Sequence, residues 1–113
     1  MLPKHSRLTK ETIERHLIRA RRLKTSRFLV LYTGIPQISG PQVSFTASKK
    51  VAPSAVLRNK LRRRGYSAMK PLIHRISPTA ALLISYTSPD IKVSIAELTA
   101  ELEKALLSTG FFK

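Results

Sequence analysis

Residues 28–48 carry no formal charge, although the segments on either side of them are dense in cations. Nine basic and two acidic residues occupy 1–27, and nine basic residues with no acid occupy 49–75. The uncharged segment reads as two strands. Phe28-Leu29-Val30-Leu31-Tyr32 is a short run of aromatic and branched residues. Gln42-Val43-Ser44-Phe45-Thr46-Ala47-Ser48 alternates strictly, with Val43, Phe45 and Ala47 on one face. Gly34, Pro36, Ser39, Gly40 and Pro41 mark a turn region between them. Such strands predict a sheet with one face buried and one polar face available.

Helical patterns surround them. Thr9 is a candidate N-cap, Glu11 and Glu14 suit a first turn, and Ile13, Leu17 and Ala20 recur at helical spacing. Arg15, Arg19 and Arg22 then fall on the solvent side of this N-terminal helix. Its two Glu argue against an Arg-rich transit peptide. A central helix is expected from near Pro53 and Ser54 towards Lys70, with Pro71 marking its end. Ala80–Tyr86 reads as a buried strand. Ser94-x-x-Glu97 is a capping box, and Ile95, Leu98, Leu102, Ala105 and Leu106 form the apolar stripe of a last helix. The expected fold class is α+β, a single-domain α-β sandwich over residues 1–113 in the order helix, strand, strand, helix, strand, helix.

The 113 residues include 21 Lys and Arg against six Asp and Glu, a net charge of +15, and no cysteine. Without cysteine there is no disulfide framework and no thiolate metal site. No apolar run approaches the ~20 residues of a membrane-spanning helix. Cationic self-repulsion on this scale is relieved by a polyanion, and nucleic acid stands ahead of an anionic membrane surface. Catalytic constellations are lacking. His5, His16 and His74 lie in three separate segments, Asp90 is the only Asp, and Glu97, Glu101 and Glu103 read as a solvated helix face. The Lys49-Lys50 pair lacks the glycines of a phosphate-binding loop. No catalytic residue and no metal ligand is identified.

On a helical wheel for the central helix, Leu57, Leu61 and Ala68 cluster, with Gly65 beside them, and point to the sheet. Asn59, Arg62, Arg63, Tyr66 and Lys70 fall on the opposite arc, flanked by Arg58 and Lys60, and Lys49 and Lys50 extend the patch. Arg forks match phosphate, Asn can read a base edge or ribose, and Tyr offers a stacking face. A merely solvated face would intersperse Glu for i, i+4 pairing, and none occurs from Lys49 through Arg75.

Ser48-Lys49-Lys50-Val51 followed by Ala55-Val56-Leu57-Arg58-Asn59-Lys60-Leu61-Arg62-Arg63 resembles the protein component of bacterial ribonuclease P. That family shows a Ser-Lys-Lys strand end, then Ala-Val and an Arg-Asn-Arg-x-x-Lys-Arg helix. Arg7-Leu8 and Phe28–Tyr32 fit its spacing, and the likeness covers nearly the whole chain. It implies a left-handed βαβ crossover and a division of labour. The RNA subunit, with Mg2+, removes the 5′ leader of precursor tRNA, while the protein docks on that RNA and holds the leader. No independent catalysis by the protein, no cofactor of its own, no obligate protein partner, no membrane and a cytoplasmic location are expected. Carried over, the RNA-subunit contacts are Lys49, Lys50, Arg58, Asn59, Lys60, Arg62, Arg63 and Tyr66, and the leader contacts are Ile13, Leu17, Phe28, Val30, Tyr32, Phe45 and Ser48. The sequence departs from the family pattern at Lys60, where a second Arg is usual, and at Arg62, where Lys is usual. Gly65-Tyr66 replaces an apolar residue and a further Arg, Gln42 and Ser44 replace an Arg and a Gly, and Pro53-Ser54 replaces a glycine and a variable residue. Ile13 and Leu17 stand where aromatics are usual. The alternative is a non-enzymatic structured-RNA binder such as a ribosomal protein.

Overall fold

The structure, a computed structural model, describes residues 20–35, 40–89 and 91–112. Four strands form one sheet: β1 (Arg21–Lys24), β2 (Phe28–Gly34), β3 (Gln42–Thr46) and β4 (Ala80–Tyr86), in the spatial order β1-β2-β4-β3. β1 and β2 pair antiparallel, as do β2 and β4, whereas β3 and β4 are parallel neighbours. The central helix α1 (Ala55–Met69) makes the crossover between these two, continuing as a 3-10 segment over Lys70–Arg75. Helix α2 (Ile95–Leu107) follows β4. The α+β class, the central and last helices and the three expected strands are all present.

One strand is new. Arg22, read above as part of the N-terminal helix, lies in β1 opposite Leu31, and Arg21 lies opposite Tyr32. Nothing in Arg21-Arg22-Leu23-Lys24 favours a strand by composition; pairing with the strongly β-forming Phe28–Tyr32 decides it. The connection is three residues long and closed by a Thr25 N–H bond to the Phe28 carbonyl at 2.8 Å. Ile13, Leu17 and the rest of the expected N-terminal helix lie outside the described residues.

Strand alternation fixes which side chains are covered. Phe28 and Val30 of β2, Val43 and Phe45 of β3, and Leu82, Ile84 and Tyr86 of β4 are buried on one face. Helix α1 lays Leu61, Gly65, Tyr66, Ala68 and Met69 against that face, and α2 adds Leu98, Leu102, Ala105 and Leu106. Both helices start on a serine: the Ser54 Oγ accepts from the Leu57 N–H at 3.4 Å, and the Ser94 Oγ from the Glu97 N–H at 3.1 Å. Ile95, expected in the stripe, is exposed in the first turn of α2.

The helices are also tied by polar contacts. Arg64 of α1 donates to the Val93 carbonyl just before α2, and Thr99 Oγ1 donates to the Ala68 carbonyl at 3.0 Å. On the other side of α2, Glu101 accepts from Thr25 Oγ1 at 2.5 Å, from the Arg27 N–H at 2.9 Å and from Arg27 Nη1 at 2.6 Å. This carboxylate is therefore not part of a solvated face, as the sequence reading had it. It anchors α2 to the β1–β2 turn. Burial alone would raise its pKa, but the hydrogen bonds from Thr25 and Arg27, with the charge of Arg27, bring it below the ordinary carboxylate value.

Two expectations follow. A Cβ on Gly65 would sit 2.5 Å from the Phe45 ring, which is itself hemmed in by Phe28, Tyr66 and Tyr86. Gly65→Ala should therefore destabilise the fold by about 1–3 kcal/mol in denaturant titration, despite alanine's better helix propensity. A folded-state pKa below the unfolded one gives stability that is complete above the unfolded pKa and is lost as pH falls through the folded value. Glu101→Gln should cost about 2 kcal/mol at neutral pH. It should also flatten the acid limb of a stability-against-pH curve.

Candidate nucleic-acid interface

The outward face of α1 is built by spacing. Val56, Lys60 and Arg63 follow i, i+4, i+7, and Asn59 and Lys70 lie beside them, all exposed. Val56 is 77% exposed at the centre of this cationic arc. Lys49 and Lys50 are exposed in the turn that leads into the helix. That turn is held by Ser48, whose carbonyl accepts from the Ala52 N–H at 2.9 Å and whose Oγ accepts from the Val51 N–H at 3.2 Å. Arg58 completes it, its Nη1 donating to the Ala52 and Pro53 carbonyls at 2.9 Å each.

The residues expected to contact the RNA subunit thus sort into three kinds. Lys49, Lys50, Asn59, Lys60 and Arg63 are exposed together on one side of the molecule. Arg58 and Arg62 are half-buried with part of their donor set engaged, Arg58 on the turn carbonyls and Arg62 on Asn59 Oδ1. Tyr66 is only 6% exposed and does not belong to the face at all. Its ring meets Phe45 edge-on at 5.1 Å, and its hydroxyl accepts from the Phe45 N–H at 3.3 Å, on an edge strand. The wheel misplaced it because Leu57, which anchored the apolar arc, is only half-buried, while Gly65 and Met69 widen that arc towards Tyr66.

The expected leader contacts divide as well. Phe28, Val30 and Phe45 are at most 2% exposed beneath the helices and offer no surface to a ligand. Their leader roles came from the family resemblance, whereas the alternation that identified their strands puts them on the covered face. The other face carries Leu29, Leu31 and Leu83, with Ser44, Thr46 and Ser85 alongside by register. Thr46 Oγ1 and Ser85 Oγ lie 2.9 Å apart across β3 and β4. Ser48 is exposed, its Oγ accepting within the turn.

Tyr32 keeps an open surface. At the end of β2 it lines a cavity of about 350 Å3 with Arg21, Thr33, Gly34, Thr109 and Phe111. The Tyr32 and Phe111 rings are T-shaped, 6.3 Å apart. Phe111 was missed in the sequence because it belongs to no periodic element. It is placed by the Ser77 N–H bond to its carbonyl at 2.6 Å and by the Ile76–Phe112 bridge. The face thus offers cations and one amide for phosphate and ribose, and the cavity offers two rings and a guanidinium for a base.

Of the remaining ionisable side chains, His74 is exposed, and Arg75 pairs with Glu103 at 3.4 Å and lies 4.3 Å from the Phe112 ring centre. Tyr86 is buried in the core, which pushes its phenol up to about 12. Among the described residues no three acids, histidines or cysteines gather in a metal-binding group, and no helix is long and apolar enough to cross a membrane.

Tyr66→Phe should leave RNA affinity unchanged in a filter-binding titration and lower stability by about 1 kcal/mol, the worth of its bond to the Phe45 N–H. A loss of RNA affinity without a loss of stability would put the hydroxyl at the interface.

Comparison with known proteins converges on one family. The family profile described as Ribonuclease P matches residues 2–110. The ribonuclease P protein component of Nocardioides sp. is 32% identical over 113 residues, covering 97% of this chain and 96% of the relative. That of Acidothermus cellulolyticus is 29% identical over 108 residues, covering 94% and 89%. The structure of the Staphylococcus aureus RNase P protein superposes with a TM-score of 0.78 at 20% identity, covering 96% of this chain and 98% of that one. The Thermotoga maritima RNase P protein gives 0.73 at 17% identity, covering 88% and 94%, and both share the fold. By the extent of the family match and the identity to its relatives, the chain belongs to the ribonuclease P protein component family.

Proposed function

We propose that this chain docks through the outward face of α1 on the RNA subunit of ribonuclease P and helps it hold the 5′ leader of precursor tRNA. The observation that carries this reading is the exposed set Lys49, Lys50, Asn59, Lys60 and Arg63 on one side of the fold, with no acid anywhere from Lys49 through Arg75. Phosphate contacts of this kind are electrostatic, dependent on salt and insensitive to sequence. A leader nucleotide is assigned to the cavity lined by Tyr32, Phe111 and Arg21, where a base can stack on an aromatic ring and Arg21 can reach its phosphate. Ile13 and Leu17 remain part of the proposed leader site on the family resemblance alone.

The chemistry is assigned to the RNA. Among the described carboxylates Glu101 is engaged by Thr25 and Arg27, and Glu103 by Arg75. On the family resemblance Mg2+ belongs with the RNA subunit, where it would supply the metal-assisted hydrolysis. What this chain contributes is positioning: cations that offset the repulsion between two RNAs, and a stacking surface that fixes the leader.

The test is cleavage of a 5′-extended precursor tRNA at low magnesium by the protein alone, the cognate RNA alone, and both. Activity in the combined arm only is expected. Activity in no arm, with the RNA competent at high magnesium, would overturn the subunit reading and favour a structured-RNA binder of another kind. Tyr32→Ala should weaken binding of the leader-bearing precursor by about 1–3 kcal/mol. Mature tRNA binding should be unchanged.

A further inference from the structure

A second cationic groove lies at the β1 edge of the sheet, the edge opposite β3. It is a space of about 250 Å3 between the β1–β2 turn and the last turns of α2. Leu23 and Ala105 line its apolar part, and Lys24, Ser26, Lys104 and Ser108 supply its polar groups. Glu101 also borders it, but both carboxylate oxygens are occupied by Thr25 and Arg27. The one acid in the groove is therefore spent on the fold. Lys24 and Lys104 are exposed, and neither has an ion-pair partner among the described residues. By register Lys24 lies opposite Leu29 on the uncovered face of β1 and Lys104 lies on α2 across the covered face, so the two ammonium groups flank the β1 edge and, with the Ser26 hydroxyl, suit an anionic chain that crosses it.

The sheet order separates this groove from the first patch. α1 packs against β3 at one edge, through Gly65 and Phe45, whereas the groove opens at β1 on the opposite edge. We propose that the groove seats the phosphodiester backbone of a second RNA segment, with Lys24 and Lys104 as its phosphate-binding cations and Ser26 as a neutral donor, the Ser108 hydroxyl already donating to the Lys104 carbonyl at 3.4 Å. This rests on the RNA-binding reading above and extends it from one face to two.

Each lysine also has a plainer role. Lys104 lies in the last turn of α2, where a cation complements the helix dipole, and Lys24 sits on an edge strand, where charge discourages pairing with another chain. Those roles act on stability and aggregation, not on RNA.

The test is lysine acylation followed by mass spectrometry on the full chain. It is run free, with ribonuclease P RNA, with a 5′-extended precursor tRNA, and with both. Lys24 and Lys104 should react several-fold more slowly in at least one RNA arm, and that arm names which RNA fills the groove. If Lys49, Lys50 and Lys60 are protected while Lys24 and Lys104 react as in the free chain, the groove proposal fails and the α1 reading stands. If no lysine is protected in any arm, the RNA-binding reading fails with it. As a second measure, the double variant Lys24→Gln, Lys104→Gln should bind the protecting RNA about tenfold more weakly at moderate salt, with a log–log salt slope shallower by about 1.4. An altered melting temperature with unchanged affinity and slope would leave the lysines their plainer roles and overturn the proposal.

Discussion

The packing on the covered side of the sheet depends on how closely α1 can approach β3. At Gly65 the helix has no Cβ, and the Phe45 ring occupies the space one would fill. That ring also contacts Phe28, Tyr66 and Tyr86, so it has no room to move aside. A glycine inside a helix ordinarily weakens it by about 1 kcal/mol relative to alanine. Here the contact it permits sets the roll of α1 on the sheet. With Gly65 against Phe45, Tyr66 and Met69 turn inward, and Asn59, Lys60 and Arg63 turn out. The direction in which the cationic face looks is thus decided from inside the core.

The periodic parts of this architecture were legible in the sequence. Alternation in 42–48, the Ser94 cap and the apolar stripe of the last helix each reflect a local rule that tertiary contacts did not override. What was not legible required knowledge of partners. β1 is a strand only because β2 lies beside it. Tyr66 is internal only because Gly65 lets Phe45 come close. Glu101 looks like any solvated helix acid until Thr25 and Arg27 are seen to converge on it across more than seventy residues of chain. Phe28, Val30 and Phe45 were correctly seen as strand residues, but alternation alone says which residues share a face, not which face the helices take.

The fold also divides its cations by type. Arg27, Arg58, Arg64 and Arg75 are each bonded within the protein, to a carboxylate or to backbone carbonyls, and the planar fork suits such work. Lys24, Lys49, Lys50, Lys60, Lys70 and Lys104 are exposed. Among the described residues these four arginines brace the fold and the lysines supply surface charge, while Arg21, Arg22 and Arg63 are exposed arginines. A net charge of +15 is therefore not one reservoir of binding groups, because part of it already holds turns and helix ends together.

The parallel pairing of β3 with β4 has a consequence for the order in which the chain can mature. β1 and β2 form a hairpin from neighbouring residues, but β4 joins partners as distant as Phe28 with Tyr86 and Val43 with Leu82. Until residues beyond α1 have emerged and inserted between β2 and β3, the helix has no frame to lie on. Long-range pairing of this sort slows folding, and for that interval a densely cationic segment stays unfolded. A polyanion that binds the finished arrangement more tightly than the open chain raises the folded fraction by mass action. The supply of such a partner would then govern how much of this polypeptide survives its own synthesis in native form.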